Sequence, residues 1–291
     1  MNGDLATLLP RLTTLHAKQN FTMAVIVGDL FPPEVSDGGG SGGDELLRKL
    51  WNGELEIPLP VYFSVGRSEV SETVMKRLEE CLEEHAGEVC QNLVFLGRKG
   101  VLVTSDGVRI VVLGGRLAPK DEQQGTGGGE GQLEVNENTH PWYTEAEANA
   151  LKVAESADIL VTYDWPAGVD RNSNVPITNS GSGDDKGSLP GGGSVPVREL
   201  ARHLGPRYHF VAGGERVFWE REPYRNQSVE GKKGRRFFGA MGTDLGATRF
   251  IAVADWGNQG KVKVRYDGVF YLLVVMQWMG VYDPVGYTLR S

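Results

Sequence analysis

Long hydrophobic runs, cysteine and any excess of positive charge are all scarce in this sequence. No stretch of about 18 or more apolar residues occurs, so no membrane-spanning helix is expected. No basic stretch followed by an apolar one opens the chain, so no secretory leader is expected. The two cysteines, Cys81 and Cys90, make neither a disulfide framework nor a zinc pattern. They read as packed thiols, in keeping with a reducing compartment, cytoplasm or nucleus. Lys and Arg number 30 against 38 Asp and Glu, a formal charge of −8. This balance excludes a surface coated for non-specific nucleic-acid binding and leaves a local basic patch open. Glycine is the residue in surplus, 40 in 291, about twice the usual ~7%. It gathers in polar stretches and is sparse in the periodic segments.

Leu5, Leu8, Leu9, Leu12 and Leu15 recur at helical spacing, which predicts an amphipathic helix over 4–19. Phe21 to Val27 reads as a buried strand ending in Gly28-Asp29, at the carboxyl end where open α/β sheets place ligands. Asp44 is placed to cap a helix running to Trp51. A strand over 61–65 and a helix over 71–85 follow. Leu93–Leu96, Val101–Thr104 and Val108–Leu113 read as three short strands, with Ser105-Asp106-Gly107 turning between the last two. Thr144 with Glu147 is a capping box opening a helix to Ala157. Ile159–Thr162 is the next buried strand, ending in Tyr163-Asp164-Trp165-Pro166.

The most informative stretch runs from 200 to 226. A short helix stops at Gly205-Pro206. Tyr208–Ala212 reads as a buried strand, Gly213-Gly214 as a bend and Val217–Trp219 as a second strand, with Pro223-Tyr224-Arg225-Asn226 leaving as a loop. Thr248–Ala254 is the last clear strand. Strands alternating with helices around a central hairpin predict one α/β domain with mixed sheets. Polar, Gly-rich stretches at 36–43, 120–139, 170–195 and 227–247 read as disordered excursions from it. They lack the apolar content to fold alone, so deleting 174–192 is expected to leave the melting temperature nearly unchanged.

Gly28-Asp29, Tyr163-Asp164-Trp165-Pro166 and Pro206-Arg207-Tyr208-His209-Phe210 before a glycine bend resemble the calcineurin-type metallophosphoesterases. The lariat debranching enzyme is a catalytic member of that class. The chain is more similar still to the CwfJ family of spliceosome-associated proteins, through Leu96-Gly97-Arg98-Lys99-Gly100, Asp164-Trp165-Pro166, Pro206–Phe210 and Pro223–Asn226. The resemblance covers residues 2–262 and implies an αββα sandwich with mixed sheets. The first strand of that sandwich is expected to be missing, because the chain opens at Met1-Asn2-Gly3. The tail, 263–291, is atypical for the family, and the carboxyl-terminal CwfJ regions are absent from it. A truncated or misannotated gene product is the expectation at both ends.

Metallophosphoesterases of this class hold two metals between Asp and His ligands on the strand ends, which generate a hydroxide and clamp the transferring oxygens. At the positions the resemblance matches, Asp29 is kept. Arg67-Ser68 replaces the Asn-His pair between Gly66 and Glu69, Tyr163 replaces a lone His, and Gly213-Gly214-Glu215 replaces a His-x-His. The permanent charge of Arg67 beside a former cation site works against a metal. The resemblance therefore implies no metal, no cofactor and no catalytic residue: a pseudoenzyme. It also implies a nuclear role in pre-mRNA splicing that assists intron-lariat turnover, with the debranching enzyme or spliceosomal proteins as partners and intron-lariat RNA as a further candidate. Two alternatives stay open. One is a divergent phosphodiesterase acting on RNA with Asp29, Glu69, Asp164 and Glu215 as an all-oxygen metal site. The other is a purely structural adaptor.

The candidate partner- or RNA-binding residues are Arg67, Tyr163, Asp164, Trp165, Arg207, Tyr208, His209, Tyr224, Arg225 and Asn226. Several carry a second reading. Asp29 is either a surviving ligand or a loop carboxylate. His209 is either functional or a core histidine. Trp165 is either packing or a contact surface. Arg207, Arg221 and Arg225 near Tyr208 and Tyr224 either hold phosphate and stack on a base or pair with Glu220 and Glu222. Lys232-Lys233-Gly234-Arg235-Arg236 is either a nuclear-import or RNA contact or a solvated loop. Arg67, Arg207 and Arg225 are expected to gather at one concave edge, where the strands end at Gly28, Gly66, Thr162 and Ala212.

Overall fold

The computed structural model describes residues 5–33, 42–119, 139–177, 192–212, 219–225, 247–253 and 273–276. The leucine spacing gives α1 (Leu5–Gln19), which leads into β1 (Met23–Ile26). Next come α2 (Gly42–Trp51), β2 (Val61–Phe63) and α3 (Glu72–Glu84). Short strands β3 (Glu88–Cys90) and β4 (Leu93–Phe95) precede the hairpin of β5 (Lys99–Val103) and β6 (Arg109–Leu113). β7 (Arg116–Leu117) and β8 (Trp142–Tyr143) form a small parallel pair. α4 (Glu145–Ala150), a 3₁₀ turn (Leu151–Ala154), β9 (Ile159–Thr162), α5 (Val195–Leu204) and β10 (Tyr208–Ala212) follow. β11 (Trp219–Glu220), β12 (Tyr224–Arg225), β13 (Ala247–Val253) and β14 (Leu273–Met276) complete the order.

The strands build two mixed sheets. The first has the order β14-β1-β2-β4-β3, and the second β11-β13-β10-β9-β6-β5, with β12 also on β13. Strand alternation sorts the side chains into layers. Met23, Val25 and Val27 pack with Ile110, Val112, Ile159, Val161, Tyr208 and Phe210 in a core between the sheets. Ala24, Ile26, Val61 and Phe63 face the other way, onto leucines of α1 and α2 and onto Val74 and Leu78 of α3. Val111, Leu113 and Leu160 face α4 and α5. The layers therefore run helix, sheet, sheet, helix.

Local signals behave as the residues dictate. Thr144 and Glu147 form the reciprocal capping box, and Gly205 closes α5 in the left-handed region at φ 55°. Ser71 caps α3, and its hydroxyl is bonded to the Asp44 carboxylate. Asp44 is thus no N-cap, since α2 starts earlier, at Gly42. The helix expected to reach Ala157 ends at Ala150 and tightens into the 3₁₀ turn, with Glu155 at φ 59° beyond it. Cys81 is buried and Cys90 half-buried, and burial pushes both thiols up, Cys90 to about 11, as packed thiols should behave.

The excursions need correction where they meet described residues. Positions 120–138, 178–191 and 226–246 lie outside them, as do 34–41. Residues 170–177 and 192–195, however, belong to the fold. Ile177 is buried in a cluster with Trp165, Trp219 and Phe250. The Trp219 indole donates to the Val175 carbonyl at 3.1 Å, and the Glu222 carboxylate accepts from Ser173 Oγ at 2.9 Å and Asn174 N at 3.1 Å. Deleting 174–192 is therefore expected to cost about 1–2 kcal/mol, through lost apolar burial and an unpaired Trp219 N–H. An unchanged midpoint in urea would show that the segment contributes nothing.

The tail contributes a strand. β14 pairs antiparallel with β1, Met23 opposite Met276 and Ile26 opposite Leu273, on the side of β1 away from β2. A wholly buried strand needs partners for the backbone groups on both its edges. Here β14 supplies the second edge, beside which a first strand was expected to be missing.

Candidate functional site

β1 and β2 run parallel, as do β6, β9, β10 and β13. The carboxyl ends of β2 and β6 are locked together. Gly115 N donates to Val65 O at 3.0 Å, and a Cβ on Gly114 would lie 2.3 Å from that oxygen. The edge so formed carries Asp29, Arg67, Tyr163 and Asp164.

Asp29 follows Gly28, at φ 99°, and its Oδ1 accepts the Ser68 amide at 2.9 Å. A Cβ on Gly66 would sit 2.0 Å from the same oxygen and 2.7 Å from Asp29 N. Asp29 thus clasps the β2 loop, and glycine is needed at 66 for the approach. A cavity of about 30 Å³ beneath them is lined by Asp29, Ser64, Gly66, Ser68 and Thr139 among others. It has room for a water or two and none for a metabolite. Arg67 and Glu69 are exposed above it.

Asp164 is turned into the fold. Its Oδ2 accepts from Leu117 N at 2.9 Å and from the Tyr143 hydroxyl at 2.8 Å. Tyr143 also shares a 2.7 Å hydrogen bond with Ser194, the N-cap of α5. Burial pushes the Asp164 carboxyl up, against the pull of those two donors, and pushes the Tyr143 phenol up as well. Trp165 is 2% exposed. Its indole donates to Ala212 O at 2.8 Å and stacks on Trp219 at 5.7 Å. Tyr163 is half-buried against the core between the sheets.

His209 is fully buried, edge-on to Phe250, and its Nε2 is 2.9 Å from Thr162 Oγ1. That hydroxyl gives its own proton to Asp164 O at 2.8 Å, so Nε2 carries the hydrogen and donates. Nδ1 is buried and, among the described residues, has no hydrogen-bond partner. Burial drives the imidazole down to about 3. This is a neutral core histidine.

The expected gathering of cations does not occur. Arg207 precedes β10 and Arg225 lies opposite Ala247, where β13 begins. Both are exposed at the edge where β10 and β13 begin, whereas Arg67 follows the carboxyl end of β2. About five residues of strand, roughly 16 Å, separate the two edges. Tyr208 is buried between the sheets, in cation–π reach of Arg207 at 5.8 Å. Arg221 donates to Val169 O at 2.6 Å and covers the half-buried Tyr224 ring at 4.3 Å, which makes both of them parts of the fold. Glu222 is held by Ser173 and Asn174. Asn226, Gly213-Gly214, Glu215 and Lys232–Arg236 lie outside the described residues.

Metal chemistry finds a poor donor set. Among the described residues no three His, Cys, Asp or Glu side chains stand together in a way that could hold an ion. Asp29 and Asp164 are bonded to separate backbone amides. The all-oxygen site does not assemble from Asp29, Glu69 and Asp164. Arg67 brings a cation to the same edge.

One functional-looking pair escaped the sequence reading. Arg98, inside Leu96–Gly100, is buried against Glu147 and donates to His140 O at 3.2 Å. Burial works to raise the Glu147 carboxyl, but the Thr144 amide and Arg98 together hold it below its ordinary value. The pair fastens 140–147 onto the hairpin. Its sequence traces are the Leu96–Gly100 motif that holds Arg98 and the capping box that already employs Glu147, and neither links the two.

No family model matches the chain. It is 30% identical over 274 residues to the CWF19-like protein 1 homolog of Caenorhabditis elegans, across 91% of this chain and 41% of that protein. It is 29% identical to zinc finger CCCH domain-containing protein 59 of Oryza sativa subsp. japonica, across 90% and 37%. With CWF19-like protein 1 of Mus musculus it shares 28% over 293 residues, 98% of this chain and 45% of the mouse protein. The chain therefore spans less than half the length of these curated relatives. These similarities cover nine-tenths or more of the chain, and on that footing it belongs to the CwfJ family, the CWF19-like proteins.

Proposed function

We propose that the chain is a non-catalytic, metallophosphoesterase-like module of pre-mRNA splicing. It acts in the nucleus, docks the debranching enzyme or spliceosomal proteins, and assists intron-lariat turnover. The helix–sheet–sheet–helix layering supports reading the fold as the calcineurin-type sandwich. The observation that carries the proposal is the clasp of Asp29 on Ser68 N at 2.9 Å. The one carboxylate kept at a matched ligand position is employed in holding a loop that presents Arg67. A guanidinium there meets an acidic surface or a phosphate without a metal.

The separation of the two edges sharpens the test. Wild type, Arg67→Ala and the double variant Arg207→Ala/Arg225→Ala are measured for binding to the debranching enzyme and, separately, to lariat RNA. Arg67→Ala is expected to weaken partner binding about tenfold, the loss of one charge-assisted contact. The double variant is expected to leave it within about twofold, since sites this far apart act independently. Loss only in the double variant would move the docking surface to the opposite edge. No measurable binding by wild type would remove the proposal.

A further inference from the structure

β5 is the last strand of its sheet, and among the described residues no strand lies along its outer edge. Its backbone pattern can be read from the hairpin. Gly114 N donates to Arg98 O at 2.7 Å and Thr104 N to Val108 O at 3.0 Å. The register from Lys99 opposite Leu113 to Val103 opposite Arg109 has no bulge. In an antiparallel pair alternate residues bond inward. Residues 98, 100, 102 and 104 therefore bond towards β6, while the amides and carbonyls of Val101 and Val103 point outward.

The side chains make this edge unusual. Leu102 packs towards the core between the sheets. Val101 and Val103 lie on the other face, 46% and 55% exposed. Val153, on the neighbouring 3₁₀ turn, is 82% exposed. Natural edge strands are guarded by charge, proline or a bulge. β5 carries one charge, Lys99 at its start, and from Gly100 to Ser105 there is no charge, proline or bulge.

We propose that two copies of this chain pair edge to edge through β5, antiparallel about a twofold axis at Leu102. This inference is independent of the splicing reading. In that register Val101 of each copy lies opposite Val103 of the other. These are the residues whose backbone groups point outward, so each opposed pair exchanges both of its hydrogen bonds. Both valines are on one face, as opposed residues in a sheet must be, and the exposed Val153 flanks the joint. The edge is complementary to itself in hydrogen bonding and in shape, as an isologous contact requires. Five residues a side make a contact smaller than the about 1,200 Å² of stable complexes, so the pairing is weak and concentration-dependent, with a Kd of roughly 0.1–1 mM.

The test is sedimentation equilibrium of the full chain over a concentration series, with amide hydrogen exchange on the same samples. Wild type is expected to pass from monomer to dimer. The Val101 and Val103 amides should exchange more slowly as concentration rises, while Leu102, already bonded to β6, stays constant. Val103→Lys places a charge in each opposed pair and is expected to raise the Kd about tenfold or more. Val103 is exposed, so the thermal midpoint should not move, and Val101→Lys supplies a second variant should it do so. A monomer throughout would overturn the proposal. So would a dimer whose Kd neither variant changes, or a monomer that takes up an added valine-rich peptide along β5 without pairing with itself.

Discussion

Replacing Trp165 by alanine is expected to lower stability by about 3–5 kcal/mol, the cost of emptying a large aromatic site. The indole is 2% exposed, stacks on Trp219 and lies 5.5 Å from Phe250. Its N–H satisfies the carbonyl of Ala212, the last residue of β10. Alanine would leave a cavity beside two aromatic rings and a buried carbonyl without its donor. Trp165→Phe should recover most of the packing and lose about 1 kcal/mol with the hydrogen bond. Urea denaturation of both variants reads the difference. A cost below about 1 kcal/mol for alanine would mean that Trp165 serves a contact surface instead, which was the other reading open from sequence.

Acidification gives the second large effect, through His209. Its folded imidazole is held near 3 by burial, against an ordinary value of 6.5. Below 6.5 the unfolded chain takes up a proton that the folded chain refuses, so stability is fully present above 6.5 and falls as the pH drops towards 3. The slope is about 1.4 kcal/mol per pH unit, or roughly 2–3 kcal/mol between pH 7.5 and 4.5. Burial raises Asp158 and Asp164, which opposes this trend, but those carboxyls act alike in wild type and variant. His209→Gln should therefore remove the histidine share of the pH dependence. Equal pH dependence in the two proteins would show that His209 is charged in the fold.

Much of the architecture could be read locally. Tyr208–Ala212 is a strand because five apolar or aromatic residues stand between a Gly-Pro stop and two glycines. The Thr144 capping box and the turn at 105–107 follow from chemistry within a few residues. What sequence could not show is which end of a strand faces which edge. Arg207 and Ala212 are five residues apart in the chain and at opposite ends of β10. The direction of β12 along β13 then carries Arg225 to the Arg207 end and away from Arg67. Asp164 looked like an edge carboxylate because it follows a strand. Its engagement with Tyr143 depends on a contact across 21 residues. The Arg98–Glu147 pair spans 49, and β14 reaches β1 from near the far end of the chain. Each of these depends on topology, which local propensity does not encode.

Under the proposed function, this member of the CwfJ family would keep a phosphoesterase-like frame and bind without catalysing. Incubating the purified chain with a branched 2′,5′-RNA and added Mn²⁺ tests it most directly. No cleavage of the branch above the enzyme-free control is expected, with the same trace for wild type and Asp29→Ala. Cleavage by wild type that disappears in Asp29→Ala would contradict it.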